Sequence, residues 1–452
     1  MLRDQLIACF RRGVEASLPG PAVERALAEE GLPPVAPYVI AVGKAAVPMA
    51  RAAVEVLTRA GRRPAGGLVV APVDAPPPQV ELPLTVCRAE HPLPGAGSRD
   101  AAERLGQLAA AIPPGAPVWF LLSGGASSLL GGPDHGLPAA ALDAAWRFLL
   151  TSGLDITAMN AVRKRLTRWG GGKLARALAH TSVLQLVVSD VIGDDLAAIG
   201  SGPLVPDAGE TAAVVAELQA QGHWSHLPEP ARRVLADMAT GRRPPLPSAG
   251  DAAFQRVRTR VIVSNQGAVR ATAAAGREAG WLVEIEPTPL AGEARVAGVA
   301  LARRLLNHPG AERPVLLVQG GEPTVTIPPG GGGRGGRAQE LALAAAELLA
   351  AAPPSQPTPC VLAAGTDGRD GPTDAAGALV DGDTWARAVR AGVDPARALA
   401  AHDAYTALDA AGALLRTGPT GTNVMDVVLG LIHPRLTAGF LEAESNPAPA
   451  GP

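Results

Sequence analysis

Three of the 40 basic residues in this chain are lysine, at positions 44, 164 and 173; the rest are arginine. Where any positive charge would serve, the sequence uses Arg. Lys44 stands apart because it follows the apolar run YVIAV (38–42) and Gly43 and precedes an alanine-rich stretch. Its ammonium is a compact point charge on a flexible stem, suited to reaching a phosphate or carboxylate oxygen in a narrow space. Lys164 and Lys173 lie in the most basic stretch of the chain. There Gly171-Gly172-Lys173 is followed by Leu174, where a P-loop would need Ser or Thr to meet magnesium. That motif is excluded, and Lys173 reads as a helix-start residue.

Two further stretches have the composition of anion sites. Ser123-Gly124-Gly125-Ala126-Ser127-Ser128 has no bulky side chain to shield its backbone N–H groups, which suits an anion at a helix start. A tight strand–helix turn would use the same residues. The second stretch runs from Pro328 through four glycines to Arg337 and opens a strongly helical segment. Gly330–Gly333 read as a flexible loop. Arg337 is different, because a cation at a helix start is opposed by the macrodipole. A buried or anion-facing Arg accounts for that placement. Gly331, Gly333 and Gly336 also spell GxGxxG. Two prolines separate them from the preceding strand, and no acidic residue follows about 20 positions on, so the dinucleotide fingerprint is excluded.

Asp190, Asp194 and Asp195 form one acidic group, and Asp367, Asp370 and Asp374 another. Mg²⁺ takes one or two carboxylates together with phosphate oxygens and water, so either group has a suitable composition. Asp-Gly pairs are equally turn residues. His223 and His226 have no further ligands nearby in sequence and read as surface residues. His91, in HPLPG, reads as structural.

Each of these groups follows a predicted strand. Lys44 follows 38–42, Ser123–Ser127 follow 118–123, and Asp190 follows 184–189. Asn265 follows 259–264, Glu322 follows 314–319, and Asp367 and Asp370 follow 359–365. Between the strands lie alanine-rich helical stretches. This alternation predicts an α/β fold with parallel sheets, whose ligands sit at the carboxyl ends of the strands. A Pro/Gly/Ser-rich texture over 227–257 reads as a linker. Two domains are therefore expected, 1–245 and 258–440. The second would open with the strand 259–264, include a strand at 323–327, and close on a helix over NVMDVVLGLI (423–432). The tail 444–452 reads as disordered.

A chain of 452 residues, 47% hydrophobic and 18% charged, is long enough for two cores and globular in composition. Its net charge of −2 gives no support for nucleic acid or an anionic membrane as partner. Cys9, Cys87 and Cys360 are far apart and odd in number, which argues against disulfides and structural zinc and fits a reducing cytoplasm. The start, MLRDQLIACFRRGVEA, reads as an amphipathic first helix rather than a signal peptide. No run approaches the ~18–20 apolar residues of a membrane span. Oligomeric state is left open, a homo-oligomer being compatible.

Taken together, AVGKAA, EHPLP, LLSGGASSLL, MNAVRKRLTRWGGGKLA, VVSDVIGDDLAAIGSGP, SNQGA, QGGEPTVTI, GGRAQELAL, AAGTDGRDGPTDAAGALVDG and TGPTGTNVMD resemble the glycerate 2-kinase family. They occur in order over roughly residues 39–430. One departure is Ala338 in GGRAQE, where the family pattern implies Asn. The resemblance implies an N-terminal Rossmann-like domain, a smaller C-terminal α/β domain called MOFRL, and an active site in the cleft between them. It implies transfer of the γ-phosphoryl group of ATP, with Mg²⁺, to the C2 hydroxyl of D-glycerate. Lys44 and Arg337 carry over as phosphate or carboxylate clamps, and Ser123, Gly124, Gly125, Ala126 and Ser127 as a phosphate cradle. Asp190 carries over as metal ligand or orienter of the hydroxyl. Asp367 and Asp370 are further metal candidates, and Asn265 and Glu322 candidates for nucleotide or substrate hydroxyls. The competing expectations are a hydroxypyruvate reductase, a label relatives of this family have carried, and a non-enzymatic nucleotide- or metabolite-binding module.

Overall fold

A computed structural model describes residues 2–75, 82–328, 330–353 and 359–433. The chain forms two compact units. One is Pro19–Ser264; the other joins the residues up to Leu18 to those from Asn265 onward.

In the Pro19–Ser264 unit, short and mostly apolar runs become the strands of one sheet. These are β1 (Tyr38–Val42), β2 (Gly66–Pro72), β3 (Thr85–Ala89), β4 (Pro117–Leu122), β5 (Ser182–Val188) and β6 (Val257–Val263). Their order is β3-β2-β1-β4-β5-β6, all parallel. Strands covered on both faces read as continuous apolar runs, and Val39–Val42 and Val118–Leu122 are fully buried in that way. The strand order reverses between β1 and β4, the switch point where open α/β sheets bind their ligands. Tyr38 pairs with Val118 and Val42 with Leu122, and both chains therefore leave the sheet at the same level.

Two expectations are corrected in this unit. The run 259–264 does not open the second domain: it is the edge strand β6 beside β5. Its half-polar sequence VRTRVIV follows from that edge position, with Arg258 and Arg260 paired to Glu30 and Glu29. The stretch read as a linker contains the helix Glu229–Ala239, whose Val234, Leu235 and Met238 pack into a cluster with Trp146 and Leu166.

The other unit is built on a mixed sheet. Its strands are β7 (Leu282–Ile285), β8 (Val315–Gly321), β9 (Cys360–Gly365), β10 (Gly377–Val380), β11 (Leu414–Leu415) and β12 (Asp426–Ile432), in the order β11-β10-β9-β12-β8-β7. β12 runs antiparallel to both of its neighbours. The sequence reading took this segment for a helix. All seven of its residues are buried, and a short apolar run buried on both faces shows neither helical nor strand periodicity. The helix Ala294–Leu306 packs close at Gly430, since a Cβ there would lie 2.6 Å from Leu305 Cδ2. The strand expected at 323–327 reduces to a bridge between Glu293 and Thr324. The first helix, Leu2–Ala16, belongs to this unit. Gly13 lies against Thr272 of the helix Asn265–Glu278, and Thr422 donates to the Ser17 carbonyl at 2.6 Å. The core is a cluster in which the helix Arg337–Ala350 is covered on almost every side.

The expected disordered tail lies outside the described residues. Among the described residues, no helix is long and apolar enough to cross a membrane.

Candidate functional site

The β1–β4 register brings the first cluster together. After Val42 the chain turns through Gly43, at φ 128°, where a Cβ would sit 2.1 Å from Ser123 Oγ. Lys44 N–H then donates to the Gly124 carbonyl at 2.9 Å, and Ala45 N–H to Ser123 Oγ at 3.0 Å. The two loops are thereby tied edge to edge. Asp190, two residues past the end of β5, lies across Gly124, since a Cβ on that glycine would come within 1.8 Å of Asp190 Oδ2. His91 lies at the same place: the Cβ position of Gly125 is 3.1 Å from its Cδ2 and 3.4 Å from Lys44 Cγ. Burial, and then the charge of Lys44, hold the His91 imidazole below its usual pKa. Lys44, Gly124, Gly125, Asp190 and His91 therefore meet around one bare stretch of backbone.

The structure gives some expected cradle residues other work. Ser123 is 2% exposed, and its hydroxyl is occupied as the acceptor for Ala45. Ala126 buries its methyl in the core at the start of the short helix Ala126–Leu129. Ser127 Oγ pairs with Ser201 Oγ at 2.7 Å. Asp195 caps the Ala197 N–H at 2.9 Å, which is turn chemistry. The other two lysines are interior ion-pair residues. Lys164 Nζ meets Asp207 at 2.9 Å and Lys173 Nζ meets Asp134 at 3.5 Å. Burial lowers the Lys173 pKa to about 8, against the pull of Asp134.

The second cluster surrounds Arg337, the first residue of its helix. The guanidinium bonds Glu322 through Nη1 and Asp426 Oδ1 through Nη2, the latter at 3.3 Å. These carboxylates explain how a cation is tolerated at a helix N-terminus. Asp370 was expected as a metal ligand. Instead, its two oxygens accept the backbone N–H groups of Ala338 and Gln339 at 3.2 and 2.8 Å, supplying the cap that Gly336 cannot. Gly336 must lack a Cβ, which would lie 2.3 Å from Asp370 Cγ. Burial raises the Asp370 pKa to about 6 even against those hydrogen bonds. Asp367 accepts from Arg369 N–H at 2.9 Å within its own turn. Asn265 uses its amide on the carbonyls of Val424 and Asp426, at 2.7 and 3.0 Å. Among the described residues, no group of three or more His, Cys, Asp or Glu is arranged to hold a metal.

The glycine run 330–336 is pinned at its end rather than loose. Gly333 N–H donates to the Ala401 carbonyl at 2.8 Å, Arg334 N–H to Asp403 at 2.9 Å, and the Arg334 guanidinium lies 4.1 Å over the Tyr405 ring. The GxGxxG spacing there leads into a helix N-terminus already filled by Asp370. The Ala338 and Gln339 N–H groups there are taken by its carboxylate.

Asp426 is the residue sequence reasoning missed. It begins β12 and pairs with Gly321 and Gly365, the last residues of β8 and β9. Because β12 is antiparallel, its start lies at the same sheet edge as their ends. Reading that segment as a helix hid this, although Asp before VVLGLI was the available signal. Asp426 is 2% exposed, and burial raises its pKa to about 7 despite Arg337.

Residues 5–236 match a family model described as a domain of unknown function (DUF4147), and residues 315–426 match the MOFRL family. A D-glycerate 2-kinase of Thermotoga maritima is 35% identical over 435 residues, covering 95% of this chain and 98% of that protein. The chain belongs to the glycerate 2-kinase family. The crystal structure of a Thermotoga maritima glycerate kinase superposes with a TM-score of 0.84 at 35% identity, covering 95% of this chain and 99% of that one. A relative from Agrobacterium vitis bearing the name of a hydroxypyruvate reductase is 37% identical, covering 81% of this chain and 85% of its own. Within the glycerate 2-kinase family, the first model spans β1 to β5 of the parallel sheet, and the MOFRL model runs from β8 to the first residue of β12.

Proposed function

We propose that this chain transfers the γ-phosphoryl group of ATP to the C2 hydroxyl of D-glycerate, forming 2-phosphoglycerate and ADP. The observation that carries the reading is the meeting of Lys44, the bare backbone of Gly124 and Gly125, and the Asp190 carboxylate at the strand-order reversal. Such crevices bind nucleotides and phosphorylated ligands in open α/β sheets. Phosphoryl transfer needs charge placed around the moving group more than a covalent catalyst. Lys44 would hold phosphate oxygens and stabilise their charge in the transition state. Gly124 and Gly125 let a phosphate approach the backbone without a side chain intervening. Arg337 would bind the glycerate carboxylate or the transferred group, as a fork suited to such oxygens. The C2 oxygen forms its bond to phosphorus as the bond to ADP breaks, and the hydroxyl proton is released.

Mg²⁺ binds through one or two carboxylates plus phosphate oxygens and water. A single carboxylate lying across a glycine cradle fits that need, and Asp190 would hold the ion. When bound, the ion supplies neutralisation of the phosphate charge. Asp370 is left out of this role because both of its oxygens serve a helix cap, while Asp367 has Oδ1 engaged in its own turn.

The test is a coupled ADP-release assay with ATP, Mg²⁺ and D-glycerate, with phosphorus NMR of the product. A 2-phosphoglycerate signal is expected. A 3-phosphoglycerate signal would overturn the position of transfer, and absence of glycerate-dependent ADP would overturn the acceptor. Fluorescence titration with NADH separates the reductase: transfer of a phosphoryl group from ATP predicts no NADH binding.

A further inference from the structure

Asp426 is placed at a cost that its own contacts do not offset. Its Oδ1 meets Arg337, while Oδ2 reaches neither solvent nor any hydrogen-bond donor. A buried carboxylate oxygen without a partner destabilises a fold. The backbone that delivers it is also unfavourable. Met425 has φ 66°, a left-handed conformation that a non-glycine residue keeps only when its surroundings over-determine it. Those surroundings are specific. Thr366 donates its N–H and its hydroxyl to the Met425 carbonyl at 3.0 and 2.7 Å and accepts the Val424 N–H at 2.8 Å. Asn265 holds the carbonyls on either side of Met425. Strain maintained in this way clusters where a side chain must be aimed.

The two carboxylates on Arg337 are not equivalent. The Glu322 side chain is 40% exposed and can exchange its partner for water, whereas Asp426 is 2% exposed and cannot. We propose that Asp426 is a positioning residue for Arg337: it anchors Nη2 from within the sheet and so fixes the plane of the guanidinium that meets the substrate anion. The substrate role of Arg337 is taken from the kinase reading; the anchoring itself is not.

The test uses the full-length Asp426→Asn variant, which keeps the shape and removes the charge. Arginine modification by phenylglyoxal, mapped by mass spectrometry, reads the anchoring directly. Arg334, stacked on Tyr405, serves as internal reference. Arg337 is expected to react several-fold faster in the variant relative to Arg334. Turnover is expected to fall about 10-fold or more with KM for ATP nearly unchanged, the signature of a misplaced group. In an Arg337→Ala background the same substitution is expected to add no further loss. Unchanged labelling overturns the proposal, as does faster labelling with turnover intact. If the wild-type protein forms no glycerate-dependent ADP, the kinase reading fails, while the labelling ratio still decides whether Asp426 holds Arg337. Asp426→Ser, read by the same labelling, replaces the Asn variant if that protein does not fold.

Discussion

The two units bring charged groups to a sheet edge by opposite routes. In the parallel sheet, chemistry emerges from loops that leave adjacent strands together, and the sheet edge is mostly backbone. Lys44 and Asp190 there flank glycines whose missing side chains make the space. In the mixed sheet, an antiparallel strand carries its first residue, Asp426, to the edge where its neighbours end. The result is an arginine bonded by two carboxylates, with a third capping its helix. The first arrangement puts a cation beside bare backbone; the second ties a cation to two carboxylates.

The largest test of the comparison is removal of the two cations. Lys44→Ala is expected to lower turnover at least ~100-fold, the scale of losing one strong electrostatic stabiliser. Arg337→Ala is expected to do the same and to leave Glu322 and Asp426 without their cation. Steady-state ADP release checks both. Near-normal turnover in Lys44→Ala would sink its assignment to phosphate.

The next test is of the bare backbone. Gly124→Ala puts a methyl 1.8 Å from the present position of Asp190 Oδ2, so the carboxylate must move. Activity is expected to drop ~10-fold or more, since displacement of a catalytic group by about 1 Å can cost that much. A raised Mg²⁺ requirement in the same assay would tie the loss to Asp190.

In the mixed sheet the comparable change acts on stability. Asp370→Ala leaves two buried N–H groups unsatisfied at the start of the Arg337 helix and is expected to cost about 1–3 kcal/mol. Denaturant unfolding measures it. A change below about 0.5 kcal/mol would mean that water replaces the cap.

The smallest effect is in pH dependence, and its sign differs between the units. Asp370 and Asp426 have folded pKa values of about 6 and about 7, above the ordinary 3.8. Through that window the folded form holds more protons than the unfolded form, so their contribution falls as pH rises. Lys173, lowered from 10.5 to about 8, behaves oppositely. Between those values the unfolded form holds more protons, and its contribution rises with pH. Calorimetric melting should show Asp426→Asn flattening the fall between about pH 4 and 7, and Lys173→Met flattening the rise above about pH 8. An Asp426→Asn slope equal to wild type would contradict a carboxylate held at raised pKa.

Much of the parallel sheet was legible because its strands are short apolar runs ending at Gly, Ser or Asp. Edge strand β6 was legible as a strand, but its half-polar sequence did not show which sheet it joins, and the domain boundary was misplaced. Strand β12 was misread for the opposite reason: burial on both faces erases periodicity. That misreading carried Asp426 with it.

The chain's own order of residues determined that a rare lysine follows a strand, that glycines follow β4, and that an arginine opens a helix. It also determined a resemblance spread over most of the chain. Only the tertiary structure decided how each polar group is used. Ser123 ties two loops, Asp370 caps a helix, and Asp426 meets Arg337 across 89 positions of sequence. The physical reason is that residue type sets what a side chain can donate or accept. Which partner takes that capacity is settled by contacts between segments that the sequence does not place side by side.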